Sequence, residues 1–161
     1  MGSLAQVLFA ATNPSVRAVV SLDGATGYRY GQDLLDTAGA FARRSFDTPF
    51  AHLTGDSTAQ AAVPTSSTFF DATVRGPAYL VRLRGLGHAQ FTAFGVLAAR
   101  ASGSPDARAF ERGYGEVIRY SGWFLDAYLR GDLAATVRLR DPWTALGASH
   151  DDLIVVPHAG R

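Results

Sequence analysis

The chain contains no cysteine and no lysine among its 161 residues. The absence of cysteine excludes disulfide bonds, thiol nucleophiles and thiolate metal sites. Its basic residues are all arginine and are scattered, and the net charge of +1 is too small to indicate binding to nucleic acid or to an anionic membrane surface. No apolar run approaches the roughly 20 residues of a membrane span.

The remaining composition is that of a globular protein. Hydrophobic residues make up 47% of the chain and charged residues 18%, which does not fit a disordered polypeptide. The length suffices for one domain with a real core. We find no internal repeat, low-complexity block or linker, so the sequence predicts a single domain.

Strand and helix patterns alternate along the chain. Short apolar runs that end in turn signals predict β-strands over residues 16–22, 50–54 and 78–83. Helical patterns cover residues 4–12, 32–45, 66–74 and 108–130. This order predicts an α/β fold, in which a doubly wound parallel sheet with right-handed crossovers is flanked by helices.

Chemically useful side chains follow the three predicted strands. The strands lead to Asp23, to Asp56 and to a glycine-rich bend that carries His88. Ligands of open parallel sheets bind beyond the carboxyl ends of the strands, so we expect these groups on one rim. A histidine backed by a carboxylate is the base half of a nucleophilic triad. Asp-Gly is also a common turn pair, so Asp23 could instead be a turn residue, and Asp56 is the competing carboxylate.

Two motifs resemble segments of the α/β-hydrolase superfamily. Residues 19–24 (VVSLDG) are similar to its acid turn, and residues 85–94 (GLGHAQFTAF) are similar to its histidine segment. The closest likeness is to dienelactone-hydrolase-like esterases and platelet-activating-factor acetylhydrolases. It covers residues 1–131 and implies the C-terminal portion of such a domain, with a partial parallel sheet. Residues 132–161 are expected to form an irregular tail of the same domain, broken by Pro142 and Pro157.

The resemblance assigns roles to single residues. It implies His88 as the base and Asp23 as the acid, with Asp56 as the alternative acid. No G-x-S-x-G is present, and the first residues resemble those that follow the nucleophile, so the serine is expected just before Met1. The N–H of Met1 would then stabilise the oxyanion. The alternative is that the first three residues derive from cloning and carry no information.

The histidine segment also contains two aromatic side chains that are candidates for an acyl pocket, Phe91 and Phe94, although core packing explains them equally well. His52 lies inside a predicted strand and is expected to be a core histidine. The four histidines are dispersed without metal-ligand spacing, and no cofactor is expected.

The function expected from the resemblance is cleavage of carboxylic esters by a Ser-Asp-His triad. The substrate would be a small-molecule or lipid ester, and the partner would be the missing N-terminal half of the same fold. Without its serine the chain is expected to be inactive. Two other hypotheses are a degenerate hydrolase that serves as a non-catalytic binding domain, and an unrelated doubly wound binding domain.

A sheet that lacks part of its strands has an open edge with unpaired backbone groups and apolar area. We therefore expect the 161-residue chain to self-associate or aggregate. Size-exclusion chromatography with light scattering measures this property. A monodisperse monomer that melts cooperatively would contradict a missing half.

Overall fold

A computed structural model describes residues 2–24, 31, 33–34, 37, 46–55 and 76–141, together with the backbone of 153–158. The strands are β1 (Val19–Leu22), β2 (Phe50–Gly55), β3 (Ala78–Leu83) and β4 (Leu153–His158). The helices are α1 (Gly2–Thr12), α2 (Ala93–Ala101), α3 (Ala107–Leu125) and α4 (Leu133–Arg140). A 3₁₀ turn (His88–Phe91) precedes α2, and a π-helical turn (Asp126–Arg130) continues α3.

The four strands form one sheet in the order β1-β2-β3-β4. The first three strands are parallel, with Val19 opposite Phe50 and Phe50 opposite Ala78. This confirms the predicted parallel arrangement and places the carboxyl ends of the three strands at one edge. The fourth strand is antiparallel to β3, with Leu83 opposite Leu153, and was not predicted.

Two parts of the segment after Asp132 are regular, α4 and β4, whereas the sequence predicted an irregular tail. The carboxylate of Asp132 accepts hydrogen bonds from the backbone N–H groups of Ala134 and Ala135, at 2.8 and 3.1 Å, and so caps α4. Pro157 lies within β4, opposite Tyr79. Proline lacks an N–H but is tolerated in a strand at the edge of a sheet, which is the position of β4 among the described strands.

Local signals account for most helix boundaries. The predicted helices at residues 4–12 and 108–130 are present, and Gly131 ends the second of them with a left-handed φ of 71°. α2 was not predicted, although Thr92 caps it by accepting a hydrogen bond from the Gly95 N–H at 3.2 Å. The prediction at 66–74 lies outside the described residues, as does most of that at 32–45.

Helices cover both faces of the sheet. One face packs against the helices that follow β3, and its buried cluster includes Leu53, Val81, Val117, Phe124 and Leu139. The other face packs against α1, and its cluster includes Leu4, Val7, Val19, Phe50 and Ala78. Successive strand residues point to opposite faces, so two adjacent apolar residues such as Phe50 and Ala51 enter different clusters. None of the helices in the described ranges has a segment long and apolar enough to cross a membrane.

The other outer strand of the described sheet is β1, which pairs only with β2 in the part of the chain that the structure describes. Two large apolar side chains near this edge are solvent-exposed, since Leu22 is 42% and Phe9 is 59% accessible. An apolar strand without charge or proline on its open side is prone to pair with another chain. The apolar, solvent-exposed outer side of β1 therefore favours the expected self-association.

Gly55 ends β2 at a close approach between two segments. A methyl group there would overlap the carbonyl group of Leu86, which belongs to the loop between β3 and the 3₁₀ turn. Because the obstacle is backbone, it cannot be relieved by a side-chain rotation. Glycine at this position is what allows the loop to rest on the end of β2.

We expect Gly55→Ala to lower the free energy of unfolding by about 1–3 kcal/mol, the usual cost of overpacking. Urea denaturation followed by circular dichroism measures the change. The matched control is Gly115→Ala within α3, where an added methyl meets nothing within 4 Å. It should be neutral or stabilising by about 0.5–1 kcal/mol, because alanine favours the helix. Equal effects of the two substitutions would rule out the proposed contact.

Candidate functional site

Asp23 begins the turn that follows β1. Its backbone N–H donates a hydrogen bond to the Leu53 carbonyl at 2.6 Å, and its φ of 45° lies in the left-handed region. Aspartate tolerates that region better than most residues, because its short side chain can form local hydrogen bonds. The residue as a whole is only 1% exposed. The turn thus places a carboxylate inside the rim of the sheet.

His88 reaches the same rim from β3. The chain leaves β3 through Gly85, whose φ is 71°, and the 3₁₀ turn then starts at His88. The turn is held by the Gly87 N–H, which donates to the side-chain oxygen of Gln90 at 2.9 Å. Both glycines belong to the segment GLGHAQF. Local turn chemistry therefore sets the position of the imidazole.

The two side chains meet although they lie 65 positions apart in sequence. Nδ1 of His88 is 2.8 Å from Oδ2 of Asp23. The carboxylate is fully buried, whereas the imidazole side chain is 76% exposed. We call this pair the Asp23–His88 dyad. Its geometry is the one expected from strand polarity, while its catalytic role stays a prediction.

The dyad fixes the tautomer of a neutral imidazole. An ionised carboxylate only accepts hydrogen bonds, so Nδ1 of His88 must carry the proton in this contact. The lone pair then resides on Nε2 of an exposed ring. An accessible lone pair on a positioned imidazole is what a general base requires.

The other oxygen of the Asp23 carboxylate is held by the end of β2. Oδ1 accepts a hydrogen bond from the hydroxyl of Thr54 at 2.9 Å and one from the N–H of Gly55 at 3.3 Å. The sequence analysis assigned no role to either residue. Their only signal in the sequence was their place at the carboxyl end of a predicted strand, next to the strand that leads to Asp23.

A cavity of about 340 Å³ opens beside the imidazole. Its walls come from the first turns of α1, from β1 and from the turn after it. The lining residues are Gly2, Ser3, Gln6, Val20, Leu22, Gly24 and His88. The base of the dyad and the start of α1 therefore face one space.

Ser3 has a packing role in this cavity wall. Its hydroxyl oxygen is buried and makes no hydrogen bond within the described part of the chain. A methyl group on Gly24 would overlap the Ser3 side chain, so the two residues are in close contact. A hydroxyl that solvent cannot reach is poorly placed to attack a substrate carbonyl.

The two predicted pocket residues, Phe91 and Phe94, are not part of this cavity. Phe91 is 3% exposed and packs in the core cluster beneath α3, whereas Phe94 is 79% exposed on α2. Neither lines the cavity beside His88. Met1 and Asp56 lie outside the described residues. Within the described ranges, no three histidine or acidic side chains lie close enough together to hold a metal ion.

A second histidine is buried behind the dyad. His52 lies on β2, is 1% exposed, and its Nδ1 is 2.9 Å from the hydroxyl oxygen of Ser21 on β1. Burial lowers the pKa of His52 from 6.5 to about 4, and the negative charge of Asp23 offsets this only in part. His52 is therefore neutral at neutral pH, as expected of a core histidine.

The buried imidazole should make folding stability depend on pH. Between pH 6.5 and about 4 the unfolded chain protonates His52 and the folded chain does not, so stability is complete above 6.5 and declines as the pH falls. The loss should reach at most about 3 kcal/mol. Urea denaturation at pH 7.5 and pH 5 should show about 2 kcal/mol of this loss, because pH 5 is still above the folded-state pKa of His52.

His52→Asn is the matched variant, because its side-chain amide can take the place of Nδ1 beside Ser21. The variant should lose stability less steeply on acidification, since it carries no titrating group at position 52. Identical pH profiles for the two proteins would show that His52 is not the group responsible.

Comparisons of this chain with protein-family models, with curated proteins and with solved structures find no match. The likeness to hydrolases therefore depends on the two motifs, and the chemistry of the site depends on the geometry of the dyad.

Proposed function

We propose that the chain supplies the base and the acid of a serine hydrolase that cleaves carboxylic esters. The observation that supports this most directly is the 2.8 Å contact between a buried carboxylate and an exposed imidazole. In the proposed reaction, His88 removes the proton of a serine hydroxyl through Nε2. Asp23 orients the ring and stabilises the imidazolium that forms.

The burial of Asp23 strengthens this role. A charge interacts more strongly in a medium of low dielectric constant than in water, so a buried carboxylate stabilises an adjacent imidazolium more than an exposed one would. The open side of His88 leaves Nε2 accessible to the reacting groups. A positioned general base of this kind typically contributes roughly 10²–10⁴ in rate.

The proposed nucleophile is a serine immediately before Met1. Support comes from the position of α1, which begins at Gly2 and shares a cavity wall with His88. The first residues of this helix, Gly2 and Ser3, line the same cavity as His88. The backbone N–H groups in the first turn of a helix lack intrahelical acceptors and favour negative charge. As in the hydrolases that the motifs resemble, the N–H of the residue after the serine, here Met1, is proposed to stabilise the oxyanion of the tetrahedral intermediate.

The proposed reaction has two steps, formation of an acyl-serine intermediate and its hydrolysis. The serine oxygen bonds to the ester carbonyl carbon while its proton passes to Nε2 of His88. The tetrahedral intermediate collapses, the C–O bond to the alcohol breaks, and His88 returns the proton to the departing alcohol. Water next attacks the acyl carbonyl carbon while its proton passes to Nε2 of His88. The C–O bond to the serine then breaks, and His88 returns the proton to the serine oxygen, which releases the carboxylic acid and restores the serine.

The test compares the 161-residue chain with a longer protein, expressed from the same reading frame extended upstream of Met1 so that it includes the proposed serine. We expect the longer protein to hydrolyse p-nitrophenyl butyrate and to react with a fluorophosphonate probe at the added serine. The shorter chain should do neither. His88→Ala and Asp23→Asn in the longer protein should each lower kcat by at least about a hundredfold.

His150→Ala is the control, because it removes a histidine to which no role is assigned, and it should leave kcat unchanged. A longer protein that the probe does not label would favour the non-catalytic binding domain. Hydrolysis that survives His88→Ala would refute the proposed base.

A further inference from the structure

The end of β2 contacts Asp23 and the loop that leads to His88. Thr54 donates its hydroxyl proton to Oδ1 of Asp23 at 2.9 Å, and Gly55 donates its N–H to the same oxygen at 3.3 Å. Gly55 also supports the carbonyl group of Leu86, two residues before His88. One short segment of strand therefore sets the position of the acid by hydrogen bonding and that of the base by packing.

The hydroxyl of Thr54 makes the shorter of the two contacts with Oδ1. A hydroxyl has a single proton to donate, and its other acceptor, the carbonyl oxygen of Gly55, is 3.4 Å away. Hydrogen bonds between oxygens are usually 2.5–3.0 Å long, so the geometry assigns the proton to Asp23. The Gly55 N–H, at 3.3 Å, lies beyond the usual range for a strong N–H bond.

Rotation of the Asp23 carboxylate is what this contact restrains. The terminal torsion of an aspartate side chain has a broad, shallow energy profile, so its plane turns easily unless both oxygens are held. Oδ2 faces Nδ1 of His88, and Oδ1 faces Thr54. Holding Oδ1 therefore keeps Oδ2 directed at the imidazole.

We propose that Thr54 is a positioning residue that acts on His88 through the Asp23 carboxylate. By holding Oδ1 it keeps Oδ2 on Nδ1, and so keeps His88 in the tautomer that has its lone pair on Nε2. The catalytic consequence of this contact rests on the proposed hydrolase function. Its effect on the tautomer of His88 does not, and can be measured in the chain without substrate.

The primary experiment measures the ring nitrogen chemical shifts of His88 by NMR in the ¹⁵N-labelled 161-residue chain at a pH where the ring is neutral. In the unsubstituted chain, Nδ1 should have the shift of a protonated nitrogen and Nε2 that of an unprotonated one. Thr54→Val removes the hydroxyl and keeps the branched shape. It should lower the ratio of the Nδ1–H to the Nε2–H tautomer about fivefold, the effect of losing one net hydrogen bond.

Two further variants separate positioning from general damage. Thr54→Ser keeps a hydroxyl and should restore the original ratio. Thr136→Val makes the same chemical change on α4, where the hydroxyl donates to the carbonyl of Asp132, and should leave His88 unchanged. If Thr54→Val does not fold, Thr54→Ala paired with Thr54→Ser gives the same comparison. An unchanged tautomer ratio in a folded variant without the hydroxyl would overturn the proposal, as would a failure of serine to restore it.

Kinetic measurements on the longer protein test the positioning role of Thr54 separately from the hydrolase function. Thr54→Val should lower kcat about fivefold and leave KM unchanged, because the hydroxyl acts on the base rather than on bound substrate. An altered tautomer ratio in a protein that hydrolyses no ester would refute the hydrolase and retain the positioning role. The opposite outcome is hydrolysis that requires His88 while Thr54→Val changes neither kcat nor the tautomer ratio. It would refute the positioning role and leave the hydrolase function intact.

Discussion

The buried carboxylate of Asp23 is the constraint on which the rim at the carboxyl ends of the parallel strands depends. A charge removed from water needs nearby hydrogen-bond donors, or its burial costs several kcal/mol. Donors among the described residues come from two other strands or their loops, since Thr54 and Gly55 end β2 and His88 follows β3. Three segments distant in sequence thus converge on one side chain. Any rearrangement of their relative positions would leave the carboxylate without part of its solvation.

Glycine makes this convergence sterically feasible. Gly55 lets the loop before His88 approach the end of β2, and Gly24 lets the start of α1 approach the turn after β1. Side chains at these two positions would push the base and the cavity wall away from the acid. The segments of the rim can therefore pack closely because glycine has no side chain at these two positions. Its chemistry depends on small residues that have no reactive groups of their own.

The sequence predicted the parts of the structure that depend on local patterns and strand polarity. The bounds of β3 and most of β2 follow from apolar runs, and the meeting of Asp23 with His88 follows from parallel strands ending at one edge. The contact between Thr54 and Asp23 was not predictable, because a threonine in a strand carries no local sign of its partner. β4 was missed for a similar reason: its antiparallel pairing is a long-range choice, and Pro157 masked the strand pattern.

The antiparallel ladder between β3 and β4 has a consequence for the order in which the sheet assembles. About 70 residues, which include α2, α3 and α4, separate β3 from β4, so this pairing closes a much longer loop than a connection between neighbouring strands. Closing a longer loop costs more chain entropy and is slower when contacts are distant in sequence. The three parallel strands can associate earlier, and β3 gains its second neighbouring strand only when β4 pairs with it. On the ribosome, β3 would have to emerge well before the strand that covers its edge.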